Sequence, residues 1–460
     1  MALGVSATAA RALAHRVLSA TRERHAYVTP VLESFLAGAE LSDTDRSFAT
    51  HLSRGVVETS GTLDEVLDLR LDRPGRVEPQ IRDALRMGAY ELLYMSTEPR
   101  AAVHQYVDLV RTLRPQAAGM ANAVLRKVAE AASTFPWGDA ESDAAALARA
   151  TGHPRWMVDL ALRDLGQAAG RAALESGASP APLYARVNSF TATLDEALAV
   201  LEEDGAVPEP APPDALSLRL RNGRAAIRGR ALAEGFVVVT DAAAQIAPLA
   251  VGPMPGGRVL DACAGRGTKT ASLQASAASA GTPARIVALD IHASKLDALA
   301  ARMVHLGVPG VEPVTADLLD PALRSQLGFE LFDAVLLDAP CTGTGTMRRH
   351  PEIRWSLAPG DVTRLSELQS MMLARVAALV KPGGVLVYST CSIAVAETAA
   401  VVRGFVEGPD GTGFASDSLA SLVPDQWCHF VTAEGWFRSW PVRDGADGHF
   451  VARMVRQARE

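Results

Sequence analysis

Apolar positions recur every three to four residues over the first third of the chain, then give way to short unbroken apolar runs over the last half. Residues 1–135 carry the helical period, as in Leu85, Ala89, Leu92 and Leu93 or Val103, Tyr106, Val107 and Val110. They predict an all-helical domain that opens on an amphipathic helix around Leu13, Val17 and Leu18. Turn residues at Asp72-Arg73-Pro74-Gly75, Glu98-Pro99 and Pro136 cut this region into separate helices. Residues 136–250 predict a helical connector, closed by the loop SGASPAP (176–182), and a small α+β subdomain. That subdomain has a strand within 183–190, a helix from Thr193 to Asp204 stopped at Gly205, and a proline-rich surface loop at 207–213. Residues 251–460 repeat strand, glycine turn and helix. Their runs at 258–261, 285–290, 332–337 and 384–389 predict a parallel sheet with helices on both faces, and those at 427–431 and 449–454 predict an antiparallel pair at its edge.

A length of 460 residues suits about three domains, and no apolar run approaches the ~18 residues of a membrane span. Four cysteines without CxxC spacing, and no secretory leader, lead to the expectation of a reducing, cytoplasmic setting with no membrane or metal partner. The net charge of −7, with sixteen basic and sixteen acidic residues in 1–130, gives no global cationic footprint, so any contact with nucleic acid has to be local. Arginine supplies nearly every cation. The four lysines are Lys127, Lys269, Lys295 and Lys381, and the position of Lys269 inside a glycine turn singles it out.

In doubly wound sheets ligands bind at the carboxyl ends of strands, and that is where the chemistry-bearing residues fall. Asp261 ends one apolar run and leads into the turn Cys263-Ala264-Gly265-Arg266-Gly267-Thr268-Lys269. Asp290 ends the next run, and Asp317 follows a third. A glycine turn opening a helix, followed by an acid suited to ribose hydroxyls, predicts a nucleotide-containing cofactor. The third glycine of a dinucleotide motif is missing, and Asp261 stands where it would repel a pyrophosphate but suit a sulfonium. The turn is therefore read as a site for S-adenosylmethionine rather than a nicotinamide. Cys341 and Cys391 each stand just beyond a strand, at AVLLDAPC (334–341) and VLVYSTC (385–391). A thiolate that adds to carbon 6 of a pyrimidine makes carbon 5 nucleophilic, and a base must later remove the carbon 5 proton. Lys269 is a candidate to favour the thiolate, and Asp338 a candidate to hydrogen-bond the base. Cys263 and Cys428 are expected to be buried packing residues.

The segments DACAGRGTKT (261–270), DAPCTGTGTMRRHPEIRW (338–355) and YSTCSI (388–393) resemble the motifs of the Sun-type (Fmu) RNA cytosine-5 methyltransferases. In the helical region DRSFATHLSRGVV (45–57), RMGAYELLYM (86–95) and NAVLR (122–126) resemble the NusB-like RNA-binding domain carried by small-subunit ribosomal members of that family. The resemblance implies a multidomain protein, an all-α NusB-like N-terminal domain joined to an α/β Rossmann-like class I methyltransferase core. It implies Cys391 as nucleophile, Cys341 as the residue assisting release, and small-subunit ribosomal RNA as substrate; separately, the chain is expected to act as a monomer. Residues 263–269, Asp290, Asp317 and Asp338 become the cofactor or substrate contacts. RRHPEIRW (348–355) is the local cationic candidate for RNA, with Arg348, Arg349 and Arg354 for phosphates, His350 among them and Trp355 as a stacking surface. The chain departs from the family pattern at AGRGTK (264–269), usually AAPGGK, at VAET (395–398), usually PEEN, and at TDAAA (240–244), usually QDEAS. The altered loop leaves open a non-catalytic ribosome-assembly factor with a decayed core.

Overall fold

The computed structural model describes residues 8–95, 97–443 and 445–458. The chain divides into two compact units, one running to Arg163 and including the distant segment Arg349–Leu357, the other formed by Asp164–Arg348 and Ala358 onwards. Helical packing thus continues past residue 135.

The first unit is helical, with Ala9–Arg24, Val28–Ala37, Asp43–Glu58, Ser60–Asp68, Pro79–Tyr94, Pro99–Leu113 and Ala118–Ala132 as its main helices. Val103, Tyr106, Val107 and Val110 form one buried stripe, and Leu85, Ala89 and Leu92 another. Both stripes enter a core with Leu52, Leu63 and Leu125. The helix starts follow local chemistry. Pro79 and Pro99 occupy first-turn positions where no amide partner is lost, and Ser42 accepts from the Asp45 amide.

The second unit holds two sheets. The smaller is antiparallel in the order β2-β3-β1-β4, from β1 (Leu183–Val187), β2 (Val207–Pro210), β3 (Ser217–Arg221) and β4 (Val237–Val239). The proline-rich stretch expected to be a loop is therefore in part an edge strand. Pro208 and Pro210 lack amide protons, which is tolerable where the strand has one neighbour only. Helix Leu194–Glu203 covers this sheet, its start fixed by a capping box between Thr193 and Glu196.

The larger sheet has β5 (Arg258–Ala262), β6 (Arg285–Asp290), β7 (Val311–Thr315), β8 (Phe332–Asp338), β9 (Val380–Thr390), β10 (Phe414–Asp417), β11 (Phe437–Arg438) and β12 (Phe450–Arg456). Its order is β10-β12-β9-β8-β5-β6-β7, with β11 also paired to β12. Strands β5 to β9 are parallel, and β12 runs antiparallel to β9 and β10. The run 427–431 expected as a strand is instead a short 3-10 helix, Asp425–Phe430, whose Trp427 and Phe430 pack into the apolar layer beside Phe437. Its aromatic residues have the composition of a strand, but tertiary packing uses them in one helical turn. Buried Leu260, Val287, Val335, Leu386 and Ala452 form one face of the sheet core, and Val259, Ile286, Ala334, Val387 and Val451 the other. Both faces are covered, which explains why these strands read as continuous apolar runs. Among the described residues no helix is long and apolar enough to cross a membrane.

Candidate active site

The candidate groups meet at the strand ends because β5 to β9 are parallel, and β8 and β9 pair residue for residue from Ala334 to Asp338. Asp338 lies opposite Ser389, so two neighbouring strands release their chains side by side, three residues before Cys341 and two before Cys391. The Ala339 amide donates to the Ser389 carbonyl at 2.9 Å, and the Gly345 amide to the Cys391 carbonyl at 2.9 Å, which ties the two loops together. The sulfurs of Cys341 and Cys391 lie 3.4 Å apart, both partly open to solvent.

The thiols are not equivalent. Their mutual hydrogen bond lowers the pKa of Cys391, where the Lys269 ammonium also favours the thiolate against burial and the Asp338 charge. The same hydrogen bond, together with burial, pushes Cys341 well above the usual thiol range. The two shifts run in opposite directions, so Cys391 is the thiol that ionises more readily. Lys269 Nζ donates to Asp338 Oδ2 at 2.7 Å. Burial lowers the pKa of the ammonium, but the charge and hydrogen bond of the Asp338 carboxylate more than reverse this and raise it.

Around the glycine turn, Cys263 at φ 66°, Gly265 at 58° and Gly267 at 82° take left-handed backbone. At Gly267 a Cβ would also sit 2.7 Å from Leu299 Cγ, so glycine is required there twice over. Asp290, almost fully buried, accepts from the amides of Gly265 at 3.1 Å and His292 at 2.9 Å, and Lys295 Nζ lies 3.8 Å away. Asp261 is fully buried. Thr270 donates to its Oδ2 at 2.6 Å, its Oδ1 has no partner, and desolvation lifts its pKa to about 7. The departures from the family loop are accommodated: Arg302 Nη1 donates to Thr268 Oγ1 at 2.7 Å, and Arg266 is exposed. Ala264 is held by its amide on the Leu289 carbonyl at 2.8 Å. Asp317 is exposed beyond β7 and takes the Leu319 amide in its own turn.

The expected cationic loop does not survive as drawn. Arg348 is buried, donating to the carbonyls of Val442 and Gly445 and pairing with Asp447 at 3.2 Å. Arg354 is buried within the helical unit and donates to the Thr151 carbonyl at 3.1 Å, while Trp355 Nε1 donates to the Glu58 carbonyl at 2.8 Å and its ring covers Gly61. The guanidinium groups of Arg348 and Arg354 are thus buried inside the protein, away from any phosphate, and Trp355 is half-buried with its Nε1 already bonded. Arg349 is half-buried and His350 is exposed, with its ring 5.2 Å from that of Tyr27. Cys428, expected to be buried, is exposed, whereas Cys263 is half-buried in the turn.

Glu397 is not among the residues that the sequence motifs single out. It is fully buried between the two cysteine loops and accepts from the Thr342 amide at 2.8 Å, from Ser392 Oγ at 2.6 Å, from Thr342 Oγ1 and from Gln369 Nε2 at 3.1 Å. One signal was available, a lone acid inside the apolar run from Ile393 to Val402.

Three family models cover most of the chain: the NusB family at residues 8–130, an RsmF/B-like ferredoxin-like domain at 153–224, and the 16S rRNA methyltransferase RsmB/F model at 248–455. A Bacillus subtilis (strain 168) protein named "Probable ribosomal RNA small subunit methyltransferase B" is 31% identical across 98% of this chain and 99% of its own. The ribosomal RNA small subunit methyltransferase B of Salmonella newport (strain SL254) is 31% identical across 91% of this chain and 92% of its own. The crystal structure of PH0851 shares the fold, with a TM-score of 0.79 at 24% identity over 98% of this chain and 99% of that one. With a NusB-type helical domain ahead of an α/β methyltransferase core, the chain belongs to the RsmB/F family of small-subunit ribosomal RNA methyltransferases.

Proposed function

We propose that the protein transfers a methyl group from S-adenosylmethionine to carbon 5 of a cytosine in small-subunit ribosomal RNA, through a covalent bond between Cys391 and cytosine carbon 6. The observation that carries this reading is the unequal pair of thiols 3.4 Å apart, with Lys269 acting on the one whose pKa is lowered.

The turn fits the cofactor. Its left-handed residues bring bare backbone to the strand ends, and Asp290 holds the turn while keeping lone pairs for ribose hydroxyls. Residues 263–269, Asp290 and Asp317 would hold it, and when bound it supplies an electrophilic methyl group on a sulfonium. The chain's own residues do the rest. The Cys391 thiolate forms a carbon–sulfur bond at carbon 6, and the displaced electron pair makes carbon 5 a nucleophile towards that methyl group. Asp338 hydrogen-bonds the base and favours a protonated ring nitrogen. Once carbon 5 is methylated, a base takes its proton, a role assigned here to Cys341 in its thiolate form, and the electron pair of that C–H bond forms the carbon 5–carbon 6 double bond as the pair of the carbon–sulfur bond leaves on Cys391. A cytosine inside a helix must first be flipped out, at a cost of a few kcal/mol.

The test is adduct trapping on denaturing gels with small-subunit RNA and S-adenosylmethionine. Cys391→Ala is expected to abolish both turnover and adduct, and Cys341→Ala to accumulate adduct with turnover lowered by about 10²–10⁴-fold. Full activity in Cys391→Ala, with adduct still formed, would assign attack to Cys341.

A further inference from the structure

We propose that Glu397 is a positioning residue of this active site, a buried carboxylate that ties the loop behind Cys341 to the loop behind Cys391 and so sets the separation of the two sulfurs. The inference rests on the two-thiol reading above. Glu397 ends a short 3-10 turn, Val395–Glu397, and is 0% exposed. Its donors come from both sides. Thr342 follows Cys341 and gives its amide and its hydroxyl, and Ser392 follows Cys391 and gives its hydroxyl. Gln369 completes the set, and its Nε2 also donates to the Pro340 carbonyl at 2.8 Å, directly ahead of Cys341.

A planar group at the end of a side chain of this length is needed at this place for a geometric reason. Four donors converge on one side chain, and both of its oxygens accept twice. Around them the hydroxyls of Thr342, Thr344 and Ser392 lie within 3.1 to 3.3 Å of one another. The Ile393 amide closes on Thr344 Oγ1 at 3.1 Å. Tyr388, on the strand that leads to Cys391, donates to the Glu397 carbonyl at 2.7 Å. Each cysteine is thus one residue away from a side chain that is bound to the same carboxylate. A shift of about 1 Å in either sulfur is enough to cost about a hundredfold in a reaction that needs both.

Three variants separate this role from plain stabilisation. Glu397→Gln can keep the network, its amide oxygen taking the Thr342 and Gln369 N–H donors and its amide nitrogen facing two hydroxyls that can turn round and accept. Glu397→Asp keeps the charge but is one methylene too short to span both loops, and Glu397→Ala removes the tie.

Two readouts apply, both taken well below each variant's melting temperature. The first is the rate of diamide-driven Cys341–Cys391 disulfide formation in the full-length protein, mapped by peptide mass spectrometry; diamide takes up the two electrons and two protons that the thiols lose. The second is the rate of RNA adduct formation. Glu397→Ala and Glu397→Asp are expected to slow cross-linking at least about tenfold and adduct formation about a hundredfold, with Glu397→Gln within about threefold of the parent.

Parental rates in Ala and Asp, accompanied only by lower melting temperatures, would overturn the proposal, as would a Gln variant as slow as Asp. Should Ala fail to fold, the Asp and Gln pair decides alone. The cross-linking arm does not depend on methyl transfer. Adduct that persists in Cys391→Ala would therefore sink the mechanistic reading, while unchanged cross-linking would sink this one.

Discussion

At the scale of the residue, the site is a small electrostatic device in which four groups act on the Cys391 thiol. Lys269 favours charge on Cys391, the Cys341 hydrogen bond does the same, and burial and the carboxylates of Asp338 and Glu397 oppose it. Removing the cation therefore has a definite sign. Lys269→Met deletes the attraction and also frees the Asp338 charge that Lys269 now neutralises, and both changes raise the pKa of the thiol. The reactive thiolate would then be present only at higher pH. The pH profile of Cys391 alkylation by iodoacetamide is expected to move upward by about one to two units, and a profile that stayed in place would show that Lys269 does not act on the sulfur. Lysine also serves better than arginine here, since a compact ammonium on a flexible stem reaches one Asp338 oxygen without needing a second acceptor.

At the scale of the element, strand register and one turn decide whether these residues meet. The parallel pairing of β8 with β9 sets Asp338 beside Ser389, so both cysteine loops leave the sheet at the same height. The β5 turn depends on backbone few side chains tolerate. Gly267→Ala would impose a Cβ at φ 82° and 2.7 Å from Leu299 Cγ, on the helix Ala293–His305. A cost of about 1–2 kcal/mol from the backbone alone is expected, seen as a lower melting temperature. Calorimetry should show S-adenosylmethionine affinity falling about tenfold or more, and unchanged affinity would mean that the turn does not contact the cofactor. Helix and strand periods were readable along the chain because burial repeats with them. The edge strand Val207–Pro210 and the 3-10 turn Asp425–Phe430 depart from the sequence expectation because proline content and aromatic content report local preference, while neighbours decide the outcome.

At the scale of the molecule, a nine-residue segment that lies in sequence between β8 and β9 belongs to the helical unit, Arg349–Leu357. Arg354 is its anchor, fully desolvated with its charge facing Glu58, whose pKa burial raises and Arg354 draws back down. Arg354→Ala would leave Glu58 without that compensation and is expected to destabilise the helical unit by about 3–5 kcal/mol, measured by denaturant titration followed in that unit. Because its guanidinium is buried inside the protein, the same change should leave the salt dependence of RNA binding unaltered. Loss of a genuine phosphate contact would reduce the slope of log K against log salt by about 0.7–0.9.

The sequence by itself determined the helical region, the parallel sheet and the set of strand-end groups, Asp261, Asp290, Asp338, Cys341 and Cys391, because each depends on a repeat or a junction carried by neighbouring residues. Only the tertiary structure decided which charges face solvent and which groups share one partner. Arg348 and Arg354 look like phosphate ligands until the chain folds over them, and Glu397 looks like an incidental acid until Thr342, fifty-five residues away, closes on it. The physical reason is that burial and hydrogen-bond partnership are properties of residues distant in the chain, and a local pattern of polar and apolar positions carries no record of them.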